Sequence, residues 1–464
     1  MVDTQVHMPT RDTPTRESIR RRLRDDGIDY LLAQWVDLHG TPRCKGVPAS
    51  AIDLLLAGSA GFAGAATIGM GQGPHDHDLI GVPDLATYTV VPWESGLARF
   101  ACDIQVDGQA WPYCSRTALR RQLERLAAAG YAMQVGVEAE HMLVTRRADG
   151  SIAPFDPTGF DTLQKPCYDF KSLASNLGYL RTVVGYLEGL GWEPYASDHE
   201  DGTAQFEINW KYADALETAD RYTFFKMLTN QVALQFGAIA THMPKPFAHL
   251  TGNGSHFHFS LWRGDDNAFL DPSDGRGLGQ SELAYHFLGG LLAHARALSA
   301  LIAPTVNCYK RLSAGSYLTG ARSGFTWTPA FITYGDNNRT QMFRTPEPGR
   351  FECRVVSGAV NPYLGIAGFI AAGLDGVERG LDPGEPQIGR NMYETPLADA
   401  RREGLRFLPQ SLAEAIDELE RDEVVQGALG PELAAEFVRV KRTEWVRYHN
   451  DVSAWEIGEY LTLF

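Results

Sequence analysis

Apolar and polar residues recur along this chain with two different periods, and the places where the period changes outline its organisation. Tyr30-Leu-Leu-Ala-Gln-Trp-Val36 reads as a strand, followed by a turn at Asp37-Leu-His-Gly40. Ahead of it, Thr13-Pro14 reads as an N-cap with proline at the first helical position, opening a helix that stops near Gly27. Residues 41–113 carry short β-like runs, such as Thr87-Tyr-Thr-Val-Val91, broken by Gly and Pro. From Ser115 the elements lengthen. The spacing predicts a helix over 116–129 ending at Gly130, and a strand over 131–144. It also predicts strands near 204–210, 255–262 and 350–356, and long helices over 218–240 and 281–301. Ser411-x-x-Glu414 has the form of a capping box, and Pro431 sits in the first turn of a further helix. The expected organisation is a flexible tail over 1–13, a small, mostly β domain over 14–113, and one large domain over 114–464. Irregular alternation of strands and helices predicts an α+β fold with antiparallel sheet rather than a doubly wound one.

Composition narrows the class of function. The 464 residues are 44% hydrophobic and 21% charged, ordinary globular values. A net charge of −15 argues against nucleic acid or an anionic membrane as partner. It leaves room for an anionic substrate, because a local arginine cluster can override the global sign. The six cysteines form no C-x-x-C pair, so the expectation is reduced thiols in a cytoplasmic protein. The first dozen residues contain no apolar h-region. Residues 54–70 and 364–374 fall short of the roughly 20 apolar residues of a membrane span.

Three strand-like segments share one device. Glu138-Ala-Glu140, His256-Phe-His258 and Glu352-Cys-Arg354 each place two polar side chains on one face, because side chains alternate with period two. His199-Glu200 and Gln205-Phe-Glu207 add two carboxylates. Any one such pair is most often a solvated surface pair. Together they offer five carboxylates and an imidazole, a set that cannot stay ionised in one cavity without cations. Oxygen-rich ligation with a single imidazole suits Mg²⁺ or Mn²⁺ better than zinc. Lys310-Arg311, Arg339, Arg344 and Arg354 form a cationic counterpart, and Arg grips carboxylate and phosphate bidentately. Metals with arginines imply phosphoryl transfer. No G-x-x-x-x-G-K-[ST] occurs, so ATP would be bound without a P-loop.

These motifs, with Met243-Pro-Lys-Pro246, Asn307-x-Tyr-Lys-Arg311, Asn338-Arg339 and Asn361-Pro-Tyr363, follow one another in the order found in glutamine synthetases. The chain resembles that family from about residue 28 to its end. The resemblance implies a β-grasp-like N-terminal domain, a large antiparallel-sheet catalytic domain, and a ringed homo-oligomer, a dodecamer, with sites shared between neighbouring subunits. It implies glutamate, ATP and a small amine as substrates, with two to three Mg²⁺ or Mn²⁺ ions per site. Glu140, Glu200 and Glu207 would hold one metal, and Glu138, His256 and Glu352 the second. His258 would lie near the nucleotide phosphates. Arg339 and Arg344 would bind ATP and the transferring group. Arg311 and Arg354 would clamp glutamate, with Gly252 or Gly254 in backbone contact. Asp37, reaching a neighbour's site, and Tyr168, with Glu200, would receive the amine.

The sequence departs from the family in three places, one of them the glycine-rich stretch Thr251-Gly-Asn-Gly-Ser255, which is shorter than in bacterial glutamine synthetase. Thr203-Ala204 stands where a proline-glycine pair is usual, and the loop from Arg311 to Arg339 is long and lacks the usual flap glutamate. Its one carboxylate is Asp336, and it carries the aromatics Tyr317, Phe325, Trp327, Phe331 and Tyr334. These are either loop core or the lining of an amine entrance. Ser323-Gly-x-Thr-Trp-x-Pro329, Asn337-Asn-Arg-Thr340, Val36-Asp-Leu-His-Gly40 and Cys114-Ser-Arg116 are similar to the γ-glutamylmethylamide synthetase and type III branch. Methylamine is therefore the expected amine, with ammonia as the alternative. Larger amines and a non-catalytic paralogue stand behind these. The metal carboxylates, all present, argue against the paralogue.

Overall fold

The computed structural model describes residues 14–312, 322–324 and 326–464. The expected tail, Tyr317 and Phe325 lie outside them. Two sheets organise the described residues. The N-terminal sheet of seven strands runs, along its main path, 42–48, 30–36, 97–106, 79–83, 61–62. Strand Tyr30–Val36 lies parallel to Leu97–Val106 and antiparallel to Pro42–Pro48. Alternate residues of these strands, Leu31, Ala33, Trp35, Ala98 and Phe100, close a small core with Ile19 and Leu23 of helix Arg16–Asp25. That helix begins later than the sequence suggested. Thr15, not Thr13, caps it, accepting from Ser18 N–H at 3.1 Å.

The second sheet has eleven strands, its main path running 194–199, 205–210, 132–146, 255–263, 351–353, 343–344, 334–335. All its pairings are antiparallel except that between 334–335 and 343–344. One face carries Val135, Val137, Ala139, Phe206, Ile208, Phe257 and Phe259, which pack into one large core with the helices. Helix Pro362–Arg379 is buried almost all round, which explains its apolar sequence as a central helix and not a membrane span. It crosses helix Glu282–Ala293 so closely that a Cβ on Gly290 would stand 2.0 Å from the Ala372 carbonyl.

The two cores are joined by polar contacts. Arg116 makes ion pairs with Asp84, Asp103 and Asp220 at 2.7–2.9 Å. Asn361, the N-cap of the central helix, donates to the carbonyls of Asp37 and Leu38, both at 3.2 Å.

Several boundaries differ from expectation. The 218–240 helix is Ala215–Gln235, capped by Asp214, and strand 350–356 shortens to Phe351–Cys353. Ser411 accepts from Glu414 N–H, but the Glu414 carboxylate turns to Gln410 N–H, so the capping box there is half formed. A complete box stands at Ser453 and Glu456.

The expected 281–301 helix is broken at His294 into Glu282–Ala293 and Ala295–Ile302. The His294 ring nitrogens meet Asp422 at 2.6 Å and Asp375 at 3.0 Å. Burial opposes its charge, but the two carboxylates outweigh burial and raise its pKa. A raised imidazole pKa stabilises the fold fully below the unfolded value of about 6.5, and that stability is lost as pH rises through the folded value. The melting-temperature difference between wild type and His294→Asn should therefore be larger at pH 6 than at pH 9. Equal differences at both would show that the ring is held uncharged.

Candidate active site

Strand register builds the site. In the large sheet Asp198 stands opposite Glu207, Glu207 opposite Glu140, and Glu138 opposite His256. His258 stands opposite Glu352, and Glu352 opposite Arg344. Directly paired residues point to the same face. Five adjacent strand pairings thus set carboxylates, imidazoles and a guanidinium in one row on the face away from the helices.

Distances along the row are short. His256 Nδ1 lies 3.1 Å from Glu138 Oε2 and 3.4 Å from Glu352 Oε1, and its Nε2 lies 3.6 Å from Glu140 Oε1. His258 Nε2 lies 2.8 Å from Glu138 Oε1. Among the described residues two groups bring their ligand atoms within 4.8 Å of one another, Glu138–His256–Glu352 and Glu140–Glu207–His256. Glu200 belongs to neither group but lines the same cavity. Its strand end is fixed by His199, whose ring nitrogens lie 2.7 Å from the Glu200 carbonyl and 2.7 Å from Asp161.

The electrostatics of the row call for cations. Burial, then the charges of Glu138, Glu200 and Glu140, raise Glu207 well above the usual carboxylate range. Burial and Glu140 push Glu200 up to about 8. At the other end burial also works against ionisation, but Arg354 and His258 bring Glu352 down to about 2. A divalent ion fits the Glu140–Glu207 end, where no guanidinium among the described residues makes an ion pair with these carboxylates.

The arginines converge on the same cavity, of about 520 Å³, which Arg311, Arg339, Arg344 and Arg354 all line. Arg354 Nη1 donates to Glu352 at 2.7 Å, and its Nε to the Arg339 carbonyl at 3.1 Å. Arg344 ion-pairs with the other Glu352 oxygen. Arg311 Nη2 donates to the Arg354 carbonyl at 3.0 Å. Of the two candidate glycines, Gly252 lines the cavity. The Gly254 N–H is taken by Glu140 at 2.7 Å, and a Cβ there would meet His256 and Arg311 at 2.6 and 2.7 Å. Gly254 thus lets those two side chains close up instead of offering its amide to a ligand.

A second cavity, of about 610 Å³, adjoins the first at Glu138. His258, Tyr195, Tyr212, Trp262 and Arg350 are among its lining residues. A larger one, about 1,100 Å³, lies elsewhere, between His39, Met70 and helix Pro431–His449, away from the carboxylate row.

The amine candidates divide. Tyr168 lines the carboxylate cavity, 70% exposed, and its φ of 63° is a left-handed conformation rare for an aromatic residue. Asp37 does not line the cavity of its own chain. It is 0% exposed, and its oxygens accept from His39 N–H, Thr41 N–H and Arg43. The loop aromatics divide too. Phe331 packs on Met392 and Ala400, and the Tyr334 ring is buried in the large core. Trp327 lines the cavity with φ 55° and donates its indole N–H to buried Asp201 at 2.8 Å. Asp336 does not line it. Ala204, in place of the family's glycine, is forced to φ 56°.

Comparison with known proteins agrees with this geometry. The family described as glutamine synthetase, catalytic domain, matches residues 112–460. The chain belongs to the glutamine synthetase family. A glutamate–methylamine ligase of Methyloversatilis universalis is 46% identical, over 95% of this chain and 98% of that protein. A glutamine synthetase of Rhizobium meliloti is 42% identical, over 93% and 96%. A solved structure of GmaS in complex with ADP superposes with a TM-score of 0.88 at 43% identity, covering 95% of this chain and 99% of that one. The α+β architecture expected from the sequence is thus that of the family.

Sequence reasoning missed Asp198, Asn209, Asp201 and the aromatic wall of the second cavity. A signal existed for two of them. Asp198 precedes Glu200 by two residues, and Asn209 follows Glu207 by two, donating to it at 2.9 Å. Both repeat the period-two device already recognised at Glu138 and Glu140.

Proposed function

We propose that the chain joins glutamate to methylamine, with ATP converted to ADP and phosphate. The observation that carries this reading is the single row of carboxylates and imidazoles shared by two cavities, one lined by arginines and one by aromatics. The nucleotide occupies the aromatic cavity, with its phosphates toward His258. Glutamate occupies the other, its carboxylates on Arg311 and Arg354 and its backbone contact at Gly252. Two to three Mg²⁺ or Mn²⁺ ions, held by Glu140, Glu200 and Glu207 and by Glu138, His256 and Glu352, would neutralise the row and the phosphate charge when bound. Arg339 and Arg344 grip the transferring phosphoryl group. The γ-carboxylate oxygen attacks the terminal phosphorus and ADP leaves. The amine nitrogen then attacks the γ-carbon, phosphate leaves, and a proton passes from the nitrogen to a base. Asp37, Glu200 and the acyl phosphate itself are the bases in reach of this scheme.

The likeness to the glutamate–methylamine ligase supports methylamine, and the likeness to glutamine synthetases keeps ammonia as the alternative. Trp327 and Tyr168 supply the aromatic faces that attract an ammonium cation and shelter a methyl group. Burying that methyl is worth about 0.8 kcal/mol, roughly fourfold. Phosphate release with glutamate, ATP and a panel of amines tests the reading. Methylamine should exceed ammonia in kcat/KM, and Trp327→Ala should reduce that preference about fourfold. Ammonia as the better substrate would make the enzyme a glutamine synthetase. No phosphate release with any amine would end the ligase reading.

The proposed assembly is a dodecameric ring in which Asp37 completes a neighbour's site, and the cytoplasm is its proposed location. That Asp37 does not line the cavity of its own chain supports sharing. Contact with an amine would require Arg43 to release Oδ2. Mixed oligomers of Asp37→Ala and Glu207→Ala subunits should recover activity that neither variant has alone, because some interfaces then hold one intact site. Verified mixed rings without recovery would place each site within one chain.

A further inference from the structure

At the seam between the N-terminal sheet and the large domain lies a cavity of about 280 Å³, lined by Arg22, Thr87, Arg99, Trp192, Asp220 and Arg221 among others. That is just below the range of small-molecule pockets, about 300–1,000 Å³. Arg99 projects from strand Leu97–Val106, is 3% exposed, and lies over the Phe224 ring at 4.5 Å. Its Nε and Nη1 are closed off from solvent and have no hydrogen-bond partner among the described residues. A guanidinium does not shed its proton in a protein, and a buried cation is costly unless it is paired.

The carboxylates of this cavity are already committed. Asp220 accepts from Arg116 Nε at 3.0 Å, from Arg116 Nη2 at 2.9 Å and from the Tyr363 hydroxyl at 2.6 Å. Glu217 pairs with Arg221 at 2.6 Å. Arg22 lies over Tyr88 at 4.4 Å and makes no ion pair among the described residues. Arg99 and Arg22 therefore hold no carboxylate in an ion pair among the described residues; burial works against the Arg99 charge, and Asp220 is the main opposite charge acting on it. Three features oppose an anion: the Asp220 and Glu217 carboxylates of the lining, each already paired, and a helix end. Helix Leu177–Gly189 brings its C-terminal end to the cavity at Gly189 and Leu190. Its dipole amounts to about half a negative charge, less than that of one guanidinium.

We propose that this cavity binds a small oxyanion, a phosphate or a short carboxylate, held by Arg99 with Arg22. The site is separate from the carboxylate row and does not rest on the ligase reading. An occupant would tie helix Arg16–Asp25 and strand Leu97–Val106 of the N-terminal unit to helices Leu177–Gly189 and Ala215–Gln235 of the large one.

The test is thermal melting and calorimetric titration of the full-length protein with inorganic phosphate and, separately, with succinate. Wild type should melt higher as either anion is added. Arg99→Met, which keeps an apolar chain over Phe224, should lose at least tenfold in anion affinity while retaining activity measured without added anion. The same anion affinity in Arg99→Met would put the anion elsewhere, the active site included, and overturn the proposal. So would a wild type insensitive to both anions. If Arg99→Met does not fold, exposed Arg22→Gln must weaken the response severalfold, and an unchanged response would overturn the site. A response to one anion alone supports the site and names its source.

Discussion

Glu207→Gln should reduce turnover by about a thousandfold or more, while the metal-free protein melts no lower than wild type at pH 7.5. Both halves follow from one geometry. Glu207 faces Glu140 across the strand pair, and its Oε1 accepts from Asn209. Glutamine keeps that oxygen and nearly the same volume, so packing survives. What disappears is a charge proposed to hold a divalent ion, and a metal's stabilisation of transition-state charge is worth several kcal/mol. At 1.36 kcal/mol per tenfold that is about three decades. The stability half has the opposite sign. A carboxyl with a raised folded pKa stabilises the fold below its unfolded value of about 4.3, and loses that contribution as pH rises through the raised value. Above it, metal-free wild type carries an unmet charge that the variant lacks. Added Mg²⁺ should raise the wild-type melting temperature, by mass action of about 2.7 kcal/mol at a hundred times Kd, and raise that of the variant less. Wild-type turnover in Glu207→Gln would remove metal binding from this end of the row. A markedly lower metal-free melting temperature would show that the carboxylate is structural.

Half of this arrangement is legible in the sequence, for a specific reason. Glu138-x-Glu140 and His256-x-His258 declare themselves because a strand's period of two is local. Which residue faces which is not local. That Glu207 falls opposite Glu140, and Arg344 opposite Glu352, is fixed by the pairing of segments up to about 70 residues apart, and one step of register would turn each set to the helix side. The aromatic loop shows the same limit. Trp327, Phe331 and Tyr334 are alike by composition, yet only Trp327 has an indole N–H for buried Asp201, and it lines the cavity while the other two fill core. The 281–301 segment reads as one helix because its apolar period runs unbroken, while the break at His294 coincides with carboxylates contributed by two distant helical segments. Pro and Gly boundaries are local and fall close to the observed ones, except at Pro14, which precedes a helix that begins at Arg16 behind Thr15. Gly130 follows the helix Ser115–Ala128, and Pro431 opens the helix Pro431–His449.

Arg354→Lys should raise the KM for glutamate by roughly 30-fold to several thousandfold, with a smaller effect on the KM for ATP. The guanidinium is buried, at the junction of Glu352, the Arg339 carbonyl and the Trp327 carbonyl. Its planar fork reaches those three acceptors in different directions while facing the cavity. A lysine ammonium is a point charge on a flexible stem and cannot hold the fork geometry. Disrupting one partner of a buried hydrogen-bonded charge pair costs about 2–5 kcal/mol, and 1.4 kcal/mol is tenfold. The same change should alter Glu352, whose carboxylate is held at about 2 chiefly by Arg354 against its own burial. Arg344 remains paired to the other Glu352 oxygen, so the row should stay assembled and the loss should fall on substrate binding. Arg339→Ala makes the contrast. Its exposed side chain is proposed to meet the transferring group, so kcat should fall with little change in the glutamate KM. If Arg354→Lys lowered kcat alone and Arg339→Ala raised only the glutamate KM, the two roles would have to be exchanged, and the carboxylate clamp would lie on the Arg339 side of the cavity.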